Sequence, residues 1–226
     1  MAFKDNYRTK DKVHTIYKTK DGTRVPGAST IAGVLDKPAL KFWANTLGMD
    51  GIDVKKYVDS LADAGTLAHY LVQCEFEDET PLQAYVDEFS KVDLDRAETS
   101  YLKFLDWFAQ HDIQTIMTEA QLVSEEHKFG GTCDAYALVD GVLTLIDIKT
   151  CKALYGATDD KWIQVAGYQI LLEGHGYEVQ DTRILRVGRN ALEGFEYAPI
   201  PNDPTLYKKL FWHCRQIYDL KKQAGR

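Results

Sequence analysis

Residues 130 to 150 read Gly-Gly-Thr-Cys-Asp-Ala-Tyr-Ala-Leu-Val-Asp-Gly-Val-Leu-Thr-Leu-Ile-Asp-Ile-Lys-Thr, and they constrain this chain more than any other stretch. Two apolar runs flank Asp140-Gly141. That dipeptide suits a two-residue hairpin turn, whose central residues need positive φ. Each run carries an acid that an apolar strand would normally avoid, Asp134 early in the first and Asp147 late in the second. Folding the hairpin about its turn brings these two positions side by side. Lys149 lies two residues beyond Asp147 and so points to the same sheet face. Two carboxylates and an ammonium thus meet at one end of a sheet. A salt bridge would neutralise one carboxylate and leave the second unexplained. Burying that second charge is costly unless something compensates, and a divalent cation with hard oxygen ligands would.

Composition limits what surrounds this hairpin. A chain of 226 residues can bury one full core, so a single domain over 1–226 is expected. No apolar run approaches membrane-spanning length, and the first residues lack the apolar core of a signal peptide. Four scattered cysteines, with no Cys-x-x-Cys pair, speak against zinc ribbons and disulfide frameworks and make a reducing cytoplasm the expected setting. The net charge of −7 argues against a generally basic nucleic-acid binder. The charge is unevenly spread, however. Residues 1–24 hold seven basic and three acidic side chains, 50–126 five and eighteen, and 183–226 nine and four. Basic termini could still contact a phosphate backbone, because such contacts act within about a Debye length.

The hydrophobic period changes once along the chain. Residues 13–18 alternate as a strand, Asp21-Gly22 turns it, and 26–30 form a loop ending in helix N-cap residues. Helices are expected from Lys37-Pro38 to about Gly48, over 52–62 and over 65–77. The amphipathic stretch from Pro81 to His111 suggests two helices parted near Val92-Asp93. After Asp112 the pattern becomes strand-like over 113–123, 129–139 and 142–149. A helix over 158–174, strands over 179–188 and 194–199, and a last helix from Asp203 to about Lys222 follow. The expected architecture is α/β, a mixed sheet flanked by helices. Its helical N-terminal portion would span about 28–111, the sheet core about 112–200 and the C-terminal helix about 203–224.

Further residues could join the hairpin. Glu119 lies on the preceding strand and would approach Asp134 if the three strands pair in order. His69 follows Gly65 within a helical pattern. Gln164 and Tyr168 are four apart, on one helix face.

Taken together, these residues resemble the PD-(D/E)XK nucleases, and more narrowly their RecB-like exonuclease branch. That branch has a glycine-and-histidine helix, a Gly-x-x-Asp strand, an Asp-x-Lys-Thr strand and a Gln-x-x-x-Tyr helix, in that order. Here they are matched by His69; by Gly131-Thr132-Cys133-Asp134; by Asp147-Ile148-Lys149-Thr150; and by Gln164 with Tyr168. Val25-Pro26-Gly27-Ala28-Ser29-Thr30-Ile31 and the segment Leu35 to Ala44 are similar to the opening segment of phage and mitochondrial-type members.

The resemblance implies a restriction-endonuclease-like sheet and Mg2+- or Mn2+-dependent hydrolysis of DNA phosphodiesters at single- or double-stranded ends. By position, Asp134, Asp147, His69 and the Ile148 carbonyl would hold the metal. Lys149 would orient or deprotonate the attacking water. Gln164 and Tyr168 would position the scissile strand or support Lys149, and Glu119 aligns with an acid often present on the first core strand. Some members carry an iron–sulfur cluster with three cysteines near the C-terminus. Here Cys214 stands alone after the core, so no cluster is expected. A structure-selective or flap endonuclease of the same superfamily, a catalytically silent DNA-binding module, and a two-carboxylate glycosidase remain as rival readings. The last would need neither Lys149 nor a metal.

Overall fold

The structure is a computed structural model that describes residues 15–154, 160–201 and 203–225. A small hairpin of β1 (Tyr17–Lys18) and β2 (Arg24–Val25) opens it, followed by five helices: α1 (Ala28–Ala32), α2 (Pro38–Met49), α3 (Val54–Phe76), α4 (Gln83–Val86) and α5 (Lys91–Phe108). The change of period at Asp112 marks the start of the sheet. Its elements are β3 (Ile113–Ser124), β4 (Phe129–Val139), β5 (Val142–Thr150), α6 (Asp160–Gly174), β6 (Asp181–Val187) and β7 (Phe195–Pro199), and α7 (Pro204–Gln223) closes the chain. The five long strands lie in the order β3-β4-β5-β6-β7. Every neighbouring pair is antiparallel except β5 and β6. Those two run parallel, which requires a crossover, and α6 provides it. The fold is the expected mixed α/β sheet with a largely helical N-terminal half.

Short polar side chains start several of these helices. Asp53 accepts from the Lys56 amide at 3.1 Å and Asp203 from the Thr205 amide at 2.8 Å. Ser90 caps α5 by accepting from the Asp93 amide. This cap places the helix break at residues 87–90, so Val92-Asp93 lies in the first turn of α5 rather than between two helices. The two helices expected over 52–62 and 65–77 are one continuous α3. Gly65 lies inside it, where a close tertiary approach leaves no room for a side chain. The strand expected at 13–18 shrinks to Tyr17–Lys18, and residues 13 and 14 lie outside the described residues, as do 158 and 159 of the expected α6. Ser29 and Thr30 lie inside α1, whose N-cap is Gly27.

Two apolar layers sandwich the sheet. On one face α1, α6 and α7 pack Ile31, Val165, Leu171 and Phe211 against Phe129, Tyr136, Leu145 and Ile184. On the other, α3 and α5 pack Val72, Phe76, Phe104 and Trp107 against Ala135, Ala137, Ile146, Ile148 and Leu185. Successive residues of β5 and β6 serve opposite faces, which explains why these strands read as unbroken apolar runs. The hairpin turn sits as anticipated, with Asp140 at φ +50° and Gly141 at φ +83°. Asp140 is tied down from outside: its Oδ1 accepts from the Asp112 amide at 2.9 Å, and its Oδ2 lies 2.6 Å from His111 Nδ1. Pairing runs from Val139↔Val142 to Ala135↔Ile146.

Gly65 lies against the end of β5. A Cβ built there would stand 2.8 Å from Thr150 Oγ1, inside van der Waals contact. Threonine is stiff at χ1 and cannot easily swing away. A Cβ at Gly48 of α2 would meet nothing within 4 Å. The two glycines should therefore respond oppositely to the same change. Gly48→Ala should raise stability by about 0.5–1 kcal/mol through helix propensity. Gly65→Ala should lower it by about 1–3 kcal/mol through overpacking. Urea unfolding monitored by circular dichroism measures both, and equal gains at the two positions would show that α3 does not press on Thr150.

Candidate functional site

The site begins where β4 and β5 part. Their ladder ends at Ala135↔Ile146, one step short of Asp134 and Asp147. Beyond that step β4 stays paired with β3 as far as Phe129, and β5 stays paired with β6 as far as Thr150. A fork therefore opens between two strands that are each still held on their other edge. Asp134 bridges it, accepting a hydrogen bond from the Ile148 amide at 2.6 Å in place of a backbone carbonyl. Alternation puts Asp147 on the face of Leu145, and the hydrogen bond from the Ile148 amide brings the Asp134 carboxylate into the same fork.

Two further potential ligand groups converge on Asp134. His69 Nδ1 is 3.7 Å from Asp134 Oδ2. Glu119 sits on β3 between the pairs Thr118↔Ala135 and Ala120↔Cys133, opposite Asp134. One ligand atom from each of His69, Glu119 and Asp134 can be chosen so that all lie within 4.8 Å of one another. Glu119 is buried and has φ +43° in mid-strand. A non-glycine residue held there costs on the order of 1–3 kcal/mol, and such strain concentrates at functional positions. Among the sequence candidates Glu119 had the least defined role, and the backbone gives it the clearest local signature.

Asp147 and Lys149 form a second pair beside this cluster. Lys149 Nζ donates to Asp147 Oδ1 at 2.9 Å and lies 2.8 Å from Oδ2. The Asp147 side chain is 1% exposed, and its Oδ2 accepts no aligned hydrogen bond despite that proximity. Burial pushes Asp147 up to about 6 against the opposing pull of Lys149, and the Asp134 charge adds to the rise. Burial also raises Asp134, while Lys149 and the Ile148 amide work against it. Lys149 moves the other way. Burial disfavours its charge, but Asp147 and Asp134 together outweigh that and raise it, so it stays an ammonium. His69 is pulled down to about 4, by burial first and the Lys149 charge second, although the Ile148 backbone hydrogen-bonds to it. It is neutral at pH 7 and able to ligate.

The crossover helix covers the fork. Gln164 Nε2 donates to the Tyr168 hydroxyl at 2.5 Å. The Tyr168 ring packs against Gly131, where a Cβ would come within 2.7 Å of it. This contact accounts for the glycine three residues before Asp134. Burial raises the Tyr168 hydroxyl well above its ordinary range, and both acids reinforce the rise. The structure thus brings Asp134, Asp147, Lys149, His69, Glu119 and Tyr168 to one fork, with Gln164 bonded to Tyr168.

Two supporting features were not singled out in the sequence. The Tyr17 hydroxyl hydrogen-bonds Thr132 Oγ1 at 2.8 Å, which ties β1 to the strand carrying Asp134. Arg186 pairs with Lys149 across β5 and β6 and is buried. Its guanidinium donates to the carbonyls of Cys151, Lys152 and Gly194 at 3.3, 3.1 and 3.1 Å, fixing how the chain leaves the Lys149 strand. An arginine inside the apolar run Ile184-Leu185-Arg186-Val187 was the available signal.

No family model and no curated protein matches the chain. Among solved structures, the chain is similar to one from Eubacterium rectale named "Putative exonuclease", at 15% identity and a TM-score of 0.48, over 67% of this chain and 62% of that one. It thus spans less than two thirds of that protein. A second similar structure, SSO0001, is 13% identical with a TM-score of 0.30 over 68% of this chain and 74% of that one.

The opposed shifts of Asp147 and His69 make a titration prediction. Between about pH 4 and 6 the folded protein holds a proton on Asp147 and none on His69, whereas the unfolded chain does the reverse. The proton counts match, so the pair contributes little slope to stability. Removing either member should unmask the other. In His69→Gln the raised carboxyl remains; its stabilisation is full below 3.8 and is lost as pH rises through about 6. In Asp147→Asn the depressed imidazole remains; its stabilisation is present above 6.5 and is lost as pH falls toward 4. Relative to wild type in EDTA, melting temperatures from pH 6.5 to 4.5 should therefore rise for His69→Gln and fall for Asp147→Asn. Slopes of the same sign in both variants would contradict the assignment.

Proposed function

We propose that this protein is a divalent-metal-dependent deoxyribonuclease of the PD-(D/E)XK type, RecB-like branch, acting as an exonuclease on DNA ends. The observation that carries the reading is the convergence of His69, Glu119 and Asp134 within 4.8 Å, beside the buried Asp147–Lys149 pair.

The donor set fits a hard cation. It offers two carboxylates and a neutral imidazole, and next to them the buried Asp147 carboxylate, whose Oδ2 is engaged by Lys149 without an aligned hydrogen bond. The Ile148 backbone, already hydrogen-bonded to His69, offers a further oxygen. His69, Glu119, Asp134, Asp147 and the Ile148 carbonyl would hold Mg2+ or Mn2+. When bound, such an ion neutralises the developing phosphate charge and lowers the pKa of water.

The remaining work falls to the chain's own groups. The Lys149 ammonium, anchored by Asp147, presents a fixed positive charge beside the position an attacking water would take. Tyr168, kept in its protonated form, and Gln164 offer donors to phosphate oxygens on the α6 side. A glycosidase would not need a lysine clamped to its second carboxylate, and the geometry favours phosphoryl chemistry on that ground. No helix among the described residues is long and apolar enough to cross a membrane.

End-labelled single- and double-stranded DNA incubated with Mg2+, Mn2+ or EDTA tests the reading. Cleavage should need the metal and fall by about 10²–10⁴-fold in Lys149→Ala. A ladder from one end with intact circular DNA would mark an exonuclease, and nicked circles a flap-type or other endonuclease. Mg2+ at about 100 times its Kd should stabilise the wild type by about 2.7 kcal/mol, and Asp134→Asn should abolish that gain. Cleavage that persists in EDTA or in Lys149→Ala would defeat the proposal.

A further inference from the structure

A cleft of about 680 Å³ opens directly onto the cluster, with Glu119, Asp134 and Tyr168 on its wall. Apart from Thr132, the rest of its lining comes from residues 15–30 and from the end of α7. Tyr17 and Arg24 belong to the β1–β2 hairpin, and Tyr218 and Lys222 to the last turns of α7. One cation from each of the two basic stretches, Arg24 and Lys222, thus lines the cleft at the candidate site. We propose that this cleft receives a single-stranded DNA end about two phosphates long, held by Arg24 and Lys222 and stacked against Tyr17 and Tyr218. The inference rests on the nuclease reading and specifies its substrate.

Size argues for one strand. The cleft encloses about 680 Å³. A pocket of this volume is on the scale of a small ligand, and a nucleotide or two is such a ligand. Chemistry argues the same way. Arg24 and Lys222 are exposed, and both are cations set beside the acids of the cluster. Phosphates entering past them reach Glu119 and Asp134, whose charge a bound cation would offset. Tyrosine rings accept any base by stacking, so the cleft can pass a strand without reading its sequence. Tyr17 is held in place by the hydrogen bond from its hydroxyl to Thr132 and by its ring lying over Gly130. The stacking surface is therefore fixed before a strand arrives.

Fluorescence anisotropy with labelled oligonucleotides in Mg2+, using the Lys149→Ala protein to suppress turnover, measures this binding. Wild-type cleavage is followed separately. A single strand should bind at least tenfold more tightly than a blunt duplex of the same length. Two phosphate contacts predict a slope of log K against log salt of about −1.4, and Arg24→Gln or Lys222→Gln should each reduce its magnitude by about 0.7. Tyr218→Ala should weaken binding about tenfold without changing the slope. Duplex binding as tight as single-strand binding, or a slope untouched by both cation variants, would overturn the cleft assignment even if cleavage is metal-dependent. Strand binding with these signatures in a wild type that never cleaves would keep the cleft and refute the nuclease reading instead.

Discussion

The structure depends on a hydrogen bond that is not made between two backbones. β4 and β5 leave each other after Ala135↔Ile146, and the carboxylate of Asp134 takes the amide that the ladder would otherwise have used. Strands that separate in the middle of a sheet normally expose unsatisfied backbone groups, which is why such forks are rare away from functional positions. Here each strand keeps its outer partner, so the gap stays open without either strand fraying. Everything else at the site is arranged around the opening. α3 brings His69 from one side, β3 brings Glu119 from another, and α6 covers the fork with Tyr168.

The electrostatics follow from that opening. Charges in the fork are removed from water yet crowded together, so each acid resists ionisation while the lysine retains its proton. A buried pair such as Asp147–Lys149 rarely adds net stability, because desolvation offsets most of the Coulombic attraction. Its geometric effect is more useful. Lys149 is pinned to one carboxylate and can neither wander nor discharge. The cluster of His69, Glu119 and Asp134 then faces a fixed positive charge at close range.

Much of this was legible in the chain, for identifiable reasons. The hairpin declared itself because Asp140-Gly141 allows few turns and because the alternation rule places Asp134, Asp147 and Lys149 without any tertiary information. The sheet followed from the change in hydrophobic period at Asp112. What escaped was set by contacts between distant segments. Two helices were expected over 52–62 and 65–77, yet α3 is continuous, and Gly65 within it is held close to Thr150. Glu119 was expected beside Asp134, but no local pattern announces a backbone forced to φ +43° there. Arg186 and Tyr17 act through carbonyls and hydroxyls far away in sequence.

The tight turn at Asp140-Gly141 has a consequence at the far end of the hairpin. Side chains alternate with a period of two, so the number of residues in that turn decides whether Asp134 and Asp147 share a face. Adding or removing a single residue there would slide one strand by one position against the other. One acid would then point into the layer of Phe104 and Trp107 while its partner stayed in the fork. The loop is on the surface, where length changes are usually harmless. Here positive φ at Asp140 and Gly141 restricts which residues fit, and the turn also behaves as a parity bit that an odd-numbered insertion would flip. A change of two residues would keep the acids on one face where a change of one would part them.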